Sequence, residues 1–232
     1  MRKIQYFLPP ILIDTLRFFK KKIKKQLLIK EPNKQSLELY NDPEMAKILD
    51  EWGERNAWIE IQHIFHDKKK YKILDIACGT GKVIEILMSK IQLNNLFGCD
   101  ISDFLIGKAI ERGIDKNKLK ICDATKLPYN ENEFDYNYSI GSLEHFTKEG
   151  IKDFLISSRK VTKYSGFHMI PVSRDGKDHG WIENYQSYFN NSVGWWSSIC
   201  KDITKDFYFI DSSWEDEISV GKWLIIIKDK ND

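Results

Sequence analysis

Residues 73–81 read ILDIACGTG. An apolar run carrying Asp75 ends in two glycines, Gly79 and Gly81, and a helical pattern over 82–90 follows at once. Glycine lets backbone approach a ligand closely, and the N–H groups that open a helix point toward it. The stretch therefore reads as strand, tight turn and helix. Four more short apolar runs follow, at 96–101 (LFGCDI), 118–124 (KLKICDA), 134–140 (FDYNYSI) and 166–172 (GFHMIPV), with helical patterns at 103–112 and 148–162. Strands alternating with helices predict an α/β fold, a mostly parallel sheet covered on both faces. Two last runs, 207–213 (FYFIDSS) and 222–228 (KWLIIIK), lie too close together for a helical crossover and are expected to pair antiparallel.

In such sheets ligands bind at the C-terminal strand ends. Acids gather there: Asp75 before the glycine turn, Asp100 at the second strand end, 19 residues after Gly81, and Asp123 at the third. A carboxylate at Asp100 suits two ribose hydroxyls, and one at Asp123 suits an exocyclic amine. Two nucleotide motifs fail. The third glycine of a dinucleotide fingerprint would be Ile84, and Gly81-Lys82 is followed by Val83 with no glycine five before Gly81, so there is no P-loop.

ILDIACGTG (73–81), GCDIS (98–102) and CDATKLPYNENEFDYNYSIGSLEHF (122–146) resemble motifs I to IV of the class I S-adenosylmethionine-dependent methyltransferases. The resemblance spans roughly residues 36–228. It implies a Rossmann-like sheet of seven strands in the order 3-2-1-4-5-7-6, strand 7 antiparallel. It also implies residue roles. Asp75 and the turn Ala77, Cys78, Gly79, Thr80 and Gly81 would line the methionine part of S-adenosylmethionine. Asp100 would take the ribose and Ile101 would pack on adenine. Asp123 would accept from the adenine amine beside a backbone donor at Ala124, and Ser139 and Ile140 would wall the sulfonium. The product would be S-adenosylhomocysteine. Cys78, Cys99 and Cys122 read as small residues at crowded strand ends.

The whole chain has 232 residues and a net charge of +2. Residues 1–30 carry nine Lys or Arg against Asp14 alone, a surplus of eight, which leaves −6 on the other 202 residues. An acidic main domain is a poor surface for a phosphate backbone, so nucleic acid is not the expected partner. Residues 1–35 form a basic segment in which Ile11, Leu12, Leu16, Phe19 and Ile23 recur at helical spacing. Such a segment lies in an anionic membrane interface or packs as a lid. Pro9-Pro10 and Asp14 break any signal peptide or membrane span. The methyltransferase domain is expected over 36–232, with a helical cap at 36–70 and an acceptor-side insertion at 173–205. The aromatic stripe of the cap, Trp52 to Phe65, reads as core, with part of it free to cover a ligand. Four scattered cysteines with no metal-ligand spacing fit a cytoplasmic protein without a metal.

Methyl transfer to a hydroxyl needs alignment and a proton acceptor. His145, just beyond the fourth strand, is the candidate base, with an imidazole of ordinary pKa near about 6.5. Tentative acceptor contacts are His168 in the fifth strand and, from the insertion, Trp181, Tyr185, Tyr188 and Asn191. Aromatic faces alternating with amides suit a sugar. The loop Ser213-Trp214-Glu215-Asp216-Glu217 reaches the same end of the sheet. With GWIENYQSYFNNSVGWW (180–196) it resembles methyltransferases of bacterial surface-polysaccharide synthesis. The expected function is methylation of a hydroxyl on a sugar or sugar nucleotide. Alternatives are N- or O-methylation of another small metabolite, such as a quinone or lipid, and a non-catalytic S-adenosylmethionine-binding protein.

Overall fold

The computed structural model describes residues 37–55, 58–183 and 186–228. The basic segment and its membrane reading, together with Tyr185, lie outside the described residues. Three helices open the described chain: α1 (Leu37–Tyr40), α2 (Pro43–Arg55) and α3 (Trp58–Phe65). Then come β1 (Ile73–Ile76), α4 (Lys82–Ile91), β2 (Leu96–Asp100), α5 (Asp103–Glu111), β3 (Leu119–Ile121) and β4 (Phe134–Ile140). The second half holds α6 (Lys148–Val161), β5 (Thr162–Ser173), β6 (Trp181–Ile182), β7 (Tyr188–Phe189), α7 (Val193–Lys201), β8 (Phe207–Glu215) and β9 (Ser219–Ile227).

Seven strands form one sheet in the order β3-β2-β1-β4-β5-β9-β8. Setting aside the two-residue strands β6 and β7, which pair only with each other, this is the expected 3-2-1-4-5-7-6 order. β1 runs parallel to β2 and β4, and β9 runs antiparallel to β5 and β8. All four residues of β1 are buried, as a strand at the middle of a doubly covered sheet must be. The fold is α/β, with one apolar cluster on each face. α6 and α7 cover Leu74, Ile76 and Ile170 with Phe154, Leu155, Trp196 and Ile199. α3, α4 and α5 cover Ile73, Tyr138 and Met169 with Phe65, Ile84, Leu87 and Ala109. Trp196 is fully buried, so the last tryptophan of the insertion is core.

β5 begins at Thr162, directly after α6, four residues earlier than its apolar run. Lys163 and Tyr164 at its opening are exposed, but Phe134 pairs with Thr162 and Ile227 with Ser165, and this pairing extends the strand. The cap is tied at both ends. Ser102, the N-cap of α5, accepts from the Leu105 N–H and donates to Asn41 Oδ1 at 2.7 Å. Glu60 on α3 accepts from the Ser213 N–H and, at 2.6 Å, from the indole Nε1–H of buried Trp223. Among the described residues no helix is long and apolar enough to cross a membrane.

Removing the Glu60 carboxylate strands the Trp223 N–H in the core. Glu60→Ala should therefore cost about 1.5–3 kcal/mol, read as a lowered urea midpoint with unchanged slope. A midpoint equal to that of the native chain would show that the cap is held elsewhere.

Candidate functional site

The parallel strands β1 to β4 end at one cavity of about 360 Å³. Its floor is the turn after β1. Ala77 takes a left-handed φ of 59°, a conformation that L-residues with a side chain adopt only under constraint. At Gly81, with φ 71°, a Cβ would come within 2.4 Å of Ile114 Cδ1 and 3.0 Å of Ala109 Cβ. Gly81 therefore permits α4 to start against α5. Its own atoms lie off the cavity lining, next to Thr80 and Lys82, which are on it.

The turn is held from two sides. Asp100, at the end of β2, accepts the Gly79 N–H through Oδ2 and the Ser102 N–H through Oδ1, each at 2.9 Å. Burial pushes its pKa up, against the pull of these two donors. Arg112 closes the other side. Its guanidinium donates to the Thr80 carbonyl at 3.1 Å, to Glu85 at 2.9 Å and to Asp50 of α2 at 2.7 Å. Asp50 also accepts from the Thr80 hydroxyl. This clamp joins cap, turn and α5, and sequence reading missed it because its members are far apart in the chain.

Of the expected cofactor residues, Asp75, Ala77, Cys78, Gly79, Thr80, Asp100, Ile101, Asp123, Ala124 and Ile140 line the cavity. Asp75 is buried and faces Tyr138 across the β1–β4 ladder. Desolvation raises its pKa well above the carboxylate range, with Tyr138 opposing and Asp100 adding to the rise. Asp123 caps a turn, accepting from the Thr125 N–H and hydroxyl, both at 2.8 Å. Ile101 is 47% exposed, an apolar side chain open to the cavity. Ser139 is not on the wall. It is fully buried and shares a 2.9 Å hydrogen bond with His168 Nδ1, on the sheet face covered by α6. His168 stacks edge-on against Phe154, and burial drives its pKa down to about 3. Both side chains are in the core, off the cavity lining.

The acceptor end differs from expectation. Trp181 packs on Phe189 at 4.9 Å, and Phe189 on Trp195 at 4.8 Å, so these rings are spent on each other. Asn191 is buried and accepts from the Gly180 N–H at 2.6 Å, holding the insertion together. Tyr188 stands edge-on to His145, ring centres 6.4 Å apart, outside the cavity wall. The wall is made instead by Leu37, Tyr40, Leu49 and Trp52 of the cap with Ser142, Phe146 and Gln186. Trp52 meets Trp214 at 6.3 Å, so the β8–β9 end does reach the site. Gln186 donates to the Tyr40 hydroxyl at 3.3 Å and joins insertion to cap. Only the aromatic content of the cap signalled this in the sequence.

His145 does line the cavity, with 11% of its side chain exposed. Nδ1 lies 2.7 Å from the Ser187 carbonyl, so it carries the proton and leaves the lone pair on Nε2. Burial lowers its pKa to about 4, against the pull of the Ser187 and Gly141 carbonyls. The imidazole is therefore neutral well below the ordinary histidine range. Glu144, beside it, is buried and its pKa is raised to about 8.

A carboxyl whose folded pKa lies above its unfolded value makes the folded state bind the proton more tightly. Its stabilisation is full below about pH 4.5 and is lost as pH rises through about 8. Glu144→Gln should remove this fall, so that the variant gains up to a few kcal/mol on the native chain between pH 5 and 8. Parallel denaturation curves for the two proteins across that range would contradict a buried, protonated Glu144.

The motif positions are matched by comparison. Residues 73–166 match the family model of a methyltransferase domain. A probable tRNA methyltransferase 9B of Mus musculus is 36% identical over 95 residues, 40% of this chain and 20% of the relative. A ubiquinone/menaquinone biosynthesis C-methyltransferase of Paraburkholderia xenovorans is 30% identical over 100 residues, 41% of this chain and 40% of the relative. The chain thus spans between a fifth and two fifths of the length of these relatives. Among solved structures, the 1,6-didemethyltoxoflavin-N1-methyltransferase of Burkholderia thailandensis, bound to S-adenosylhomocysteine, superimposes with a TM-score of 0.58 at 18% identity. That likeness covers 78% of this chain and 82% of the other. Motif positions, family match and sheet order agree: residues 73–166 match a methyltransferase-domain model within a sheet of the order expected for that fold.

Proposed function

We propose that the protein transfers the methyl group of S-adenosylmethionine to a hydroxyl of a small acceptor, a sugar that is free or carried on a nucleotide. The observation that carries the cofactor half is the joint placement of Asp75, Asp100 and Asp123 on one cavity at the strand ends. Asp75 would hold the amino-acid part, Asp100 the ribose with the lone pairs that Gly79 and Ser102 leave free, and Asp123 the adenine amine over Ile101. S-adenosylmethionine supplies an electrophilic methyl on a positively charged sulfur. The protein's part is to align an acceptor with it and to exclude water.

Support for the acceptor class comes from the other end of the cavity. Tyr40 and Trp52 offer flat faces, while Ser142 and Gln186 offer hydrogen-bonding edges. A sugar presents C–H faces and hydroxyl edges in the same way. Lys82 is the basic side chain on the wall, and it is paired with Glu85 at 3.0 Å. This favours a compact acceptor over a nucleic-acid backbone, which needs several cations. Contact of residues 1–30 with an anionic membrane remains part of the proposal, as does a cytoplasmic setting.

His145 is the proposed base. Its Nε2 lone pair takes the hydroxyl proton as the oxygen closes on the methyl carbon. Because burial has lowered its pKa to about 4, the acidic limb of the pH–rate profile belongs near pH 4 and not near 6–7. His145→Gln should lower turnover by roughly 10²-fold and abolish that limb, with cofactor affinity kept. A profile unchanged by the substitution would make the residue a loop anchor only.

Asp100→Ala should weaken both S-adenosylmethionine and S-adenosylhomocysteine by about 1.5–3 kcal/mol in calorimetry, through lost ribose bonds and a freed Gly79. Unaltered affinity for both would overturn the cofactor assignment. Activity on a quinone and none on sugars would keep the domain assignment and replace the acceptor.

A further inference from the structure

Glu144 is left without a task by these assignments. It sits in the short turn Leu143–His145 after β4 and is only 5% exposed. Among the described residues its Oε2 has no hydrogen-bond partner. Its Oε1 lies 3.7 Å from His145 Nε2. The same oxygen is 3.6 Å from the point where a side chain on Gly141 would begin, and the ring tip of Trp52 is 3.7 Å from that point. Gly141 walls the cavity with φ 62°, so the carboxyl lies beside a wall residue that has no side chain, just behind the cavity lining.

The titratable groups around this carboxyl are His145 in its own turn, Tyr40 from α1 and Tyr188 from β7. None is a cation at neutral pH: the imidazole is neutral, and burial raises both phenols. An isolated buried carboxyl keeps its proton, and this one does so up to about pH 8. A cation entering the same poorly screened space reverses the preference, because unlike charges attract strongly where water is excluded.

We propose that Glu144 is the counter-charge of the sulfonium, releasing its proton when S-adenosylmethionine binds and regaining one through His145 as the methyl group leaves. The inference rests on the cofactor reading above. The balance is complete. The acceptor oxygen forms a bond to the methyl carbon, and the carbon–sulfur pair stays on sulfur as a neutral thioether. The hydroxyl proton passes to His145 Nε2 and on to the Glu144 carboxylate, across a 3.7 Å gap that a small side-chain rotation closes. Positive and negative charge vanish together, so no unpaired charge is left in the cavity. His145 needs to hold the proton only in transit, which suits a base whose protonated form is disfavoured.

S-adenosylmethionine and S-adenosylhomocysteine share their amino-acid, ribose and adenine parts, so any ionisation of Asp75 accompanies both. Their difference isolates the sulfonium. Titration calorimetry of the full chain at pH 7, in two buffers of different ionisation enthalpy, counts the protons released by each ligand. S-adenosylmethionine should release about 0.9 proton more than S-adenosylhomocysteine, and its affinity relative to the product should rise roughly tenfold from pH 6 to 7 and by about half that factor from 7 to 8. In Glu144→Gln both differences should vanish while both ligands still bind. Equal proton release in the native chain, or a difference that survives in the variant, overturns the proposal. If Glu144→Gln does not fold, the native comparison decides alone. If neither ligand binds the native chain, the cofactor reading itself has failed.

Discussion

Two hydrogen bonds to the Asp100 carboxylate shape the ligand end of this sheet. One fixes the Gly79 N–H, and with it the left-handed turn from β1 into α4. The other fixes the Ser102 N–H, and Ser102 in turn caps α5 and holds Asn41 at the foot of the cap. A single acid thus couples the central strand, its neighbour and the lid. Its side chain is buried, which raises its pKa, and the backbone N–H groups aimed at it pull the other way. Arg112 does the complementary task from outside, with its cation shared among a carbonyl and two carboxylates. The turn is therefore set before any ligand arrives, as close backbone approach requires.

The electrostatics of the cavity run opposite to ordinary stabilisation. Asp75, Asp100 and Glu144 all sit where burial raises their pKa, and the basic wall residue Lys82 pairs with Glu85 instead. Such an arrangement costs folding free energy in the empty protein. It is intelligible if the missing counter-charges belong to a ligand that carries positive groups at more than one point. The cavity is then poorly paired alone and well paired when filled, and discrimination follows from whichever charge the ligand lacks.

Much of this was legible in the sequence, and the part that was not has a physical reason. β1, β2 and β4 are short buried runs, and strands covered on both faces carry their signal in composition alone. The acids at their ends followed from topology. Tyr40, Trp52 and Gln186 did not, because what they line is decided by where cap and insertion dock. β6 and β7 have two residues each, too few for any periodicity to show. Ser139 and His168 face the α6 side, which the sequence does not show. The irregularity between Phe134 and Tyr136 in the β4–β5 ladder puts Phe134 on the α6 side and Tyr136 and Tyr138 on the other. Counting from the strand end could not tell which side chains turned toward the ligand.

The same reasoning explains why an acceptor-side aromatic insertion need not touch the acceptor. Trp181, Phe189, Trp195 and Trp196 form a stack that ends in the core, and its apolar area is buried by their contacts with one another. What the stack delivers is position. It fixes β7 so that the Ser187 carbonyl stands 2.7 Å from His145 Nδ1, and Gln186 meets Tyr40 across the cavity mouth. A flat aromatic surface on the wall comes instead from Trp52, which Trp214 supports from the far edge of the sheet. Aromatic residues in the insertion thus hold a backbone carbonyl in place, and that carbonyl selects the tautomer of the one imidazole on the wall. The shape of the site is in this way set in part by residues that lie off its wall.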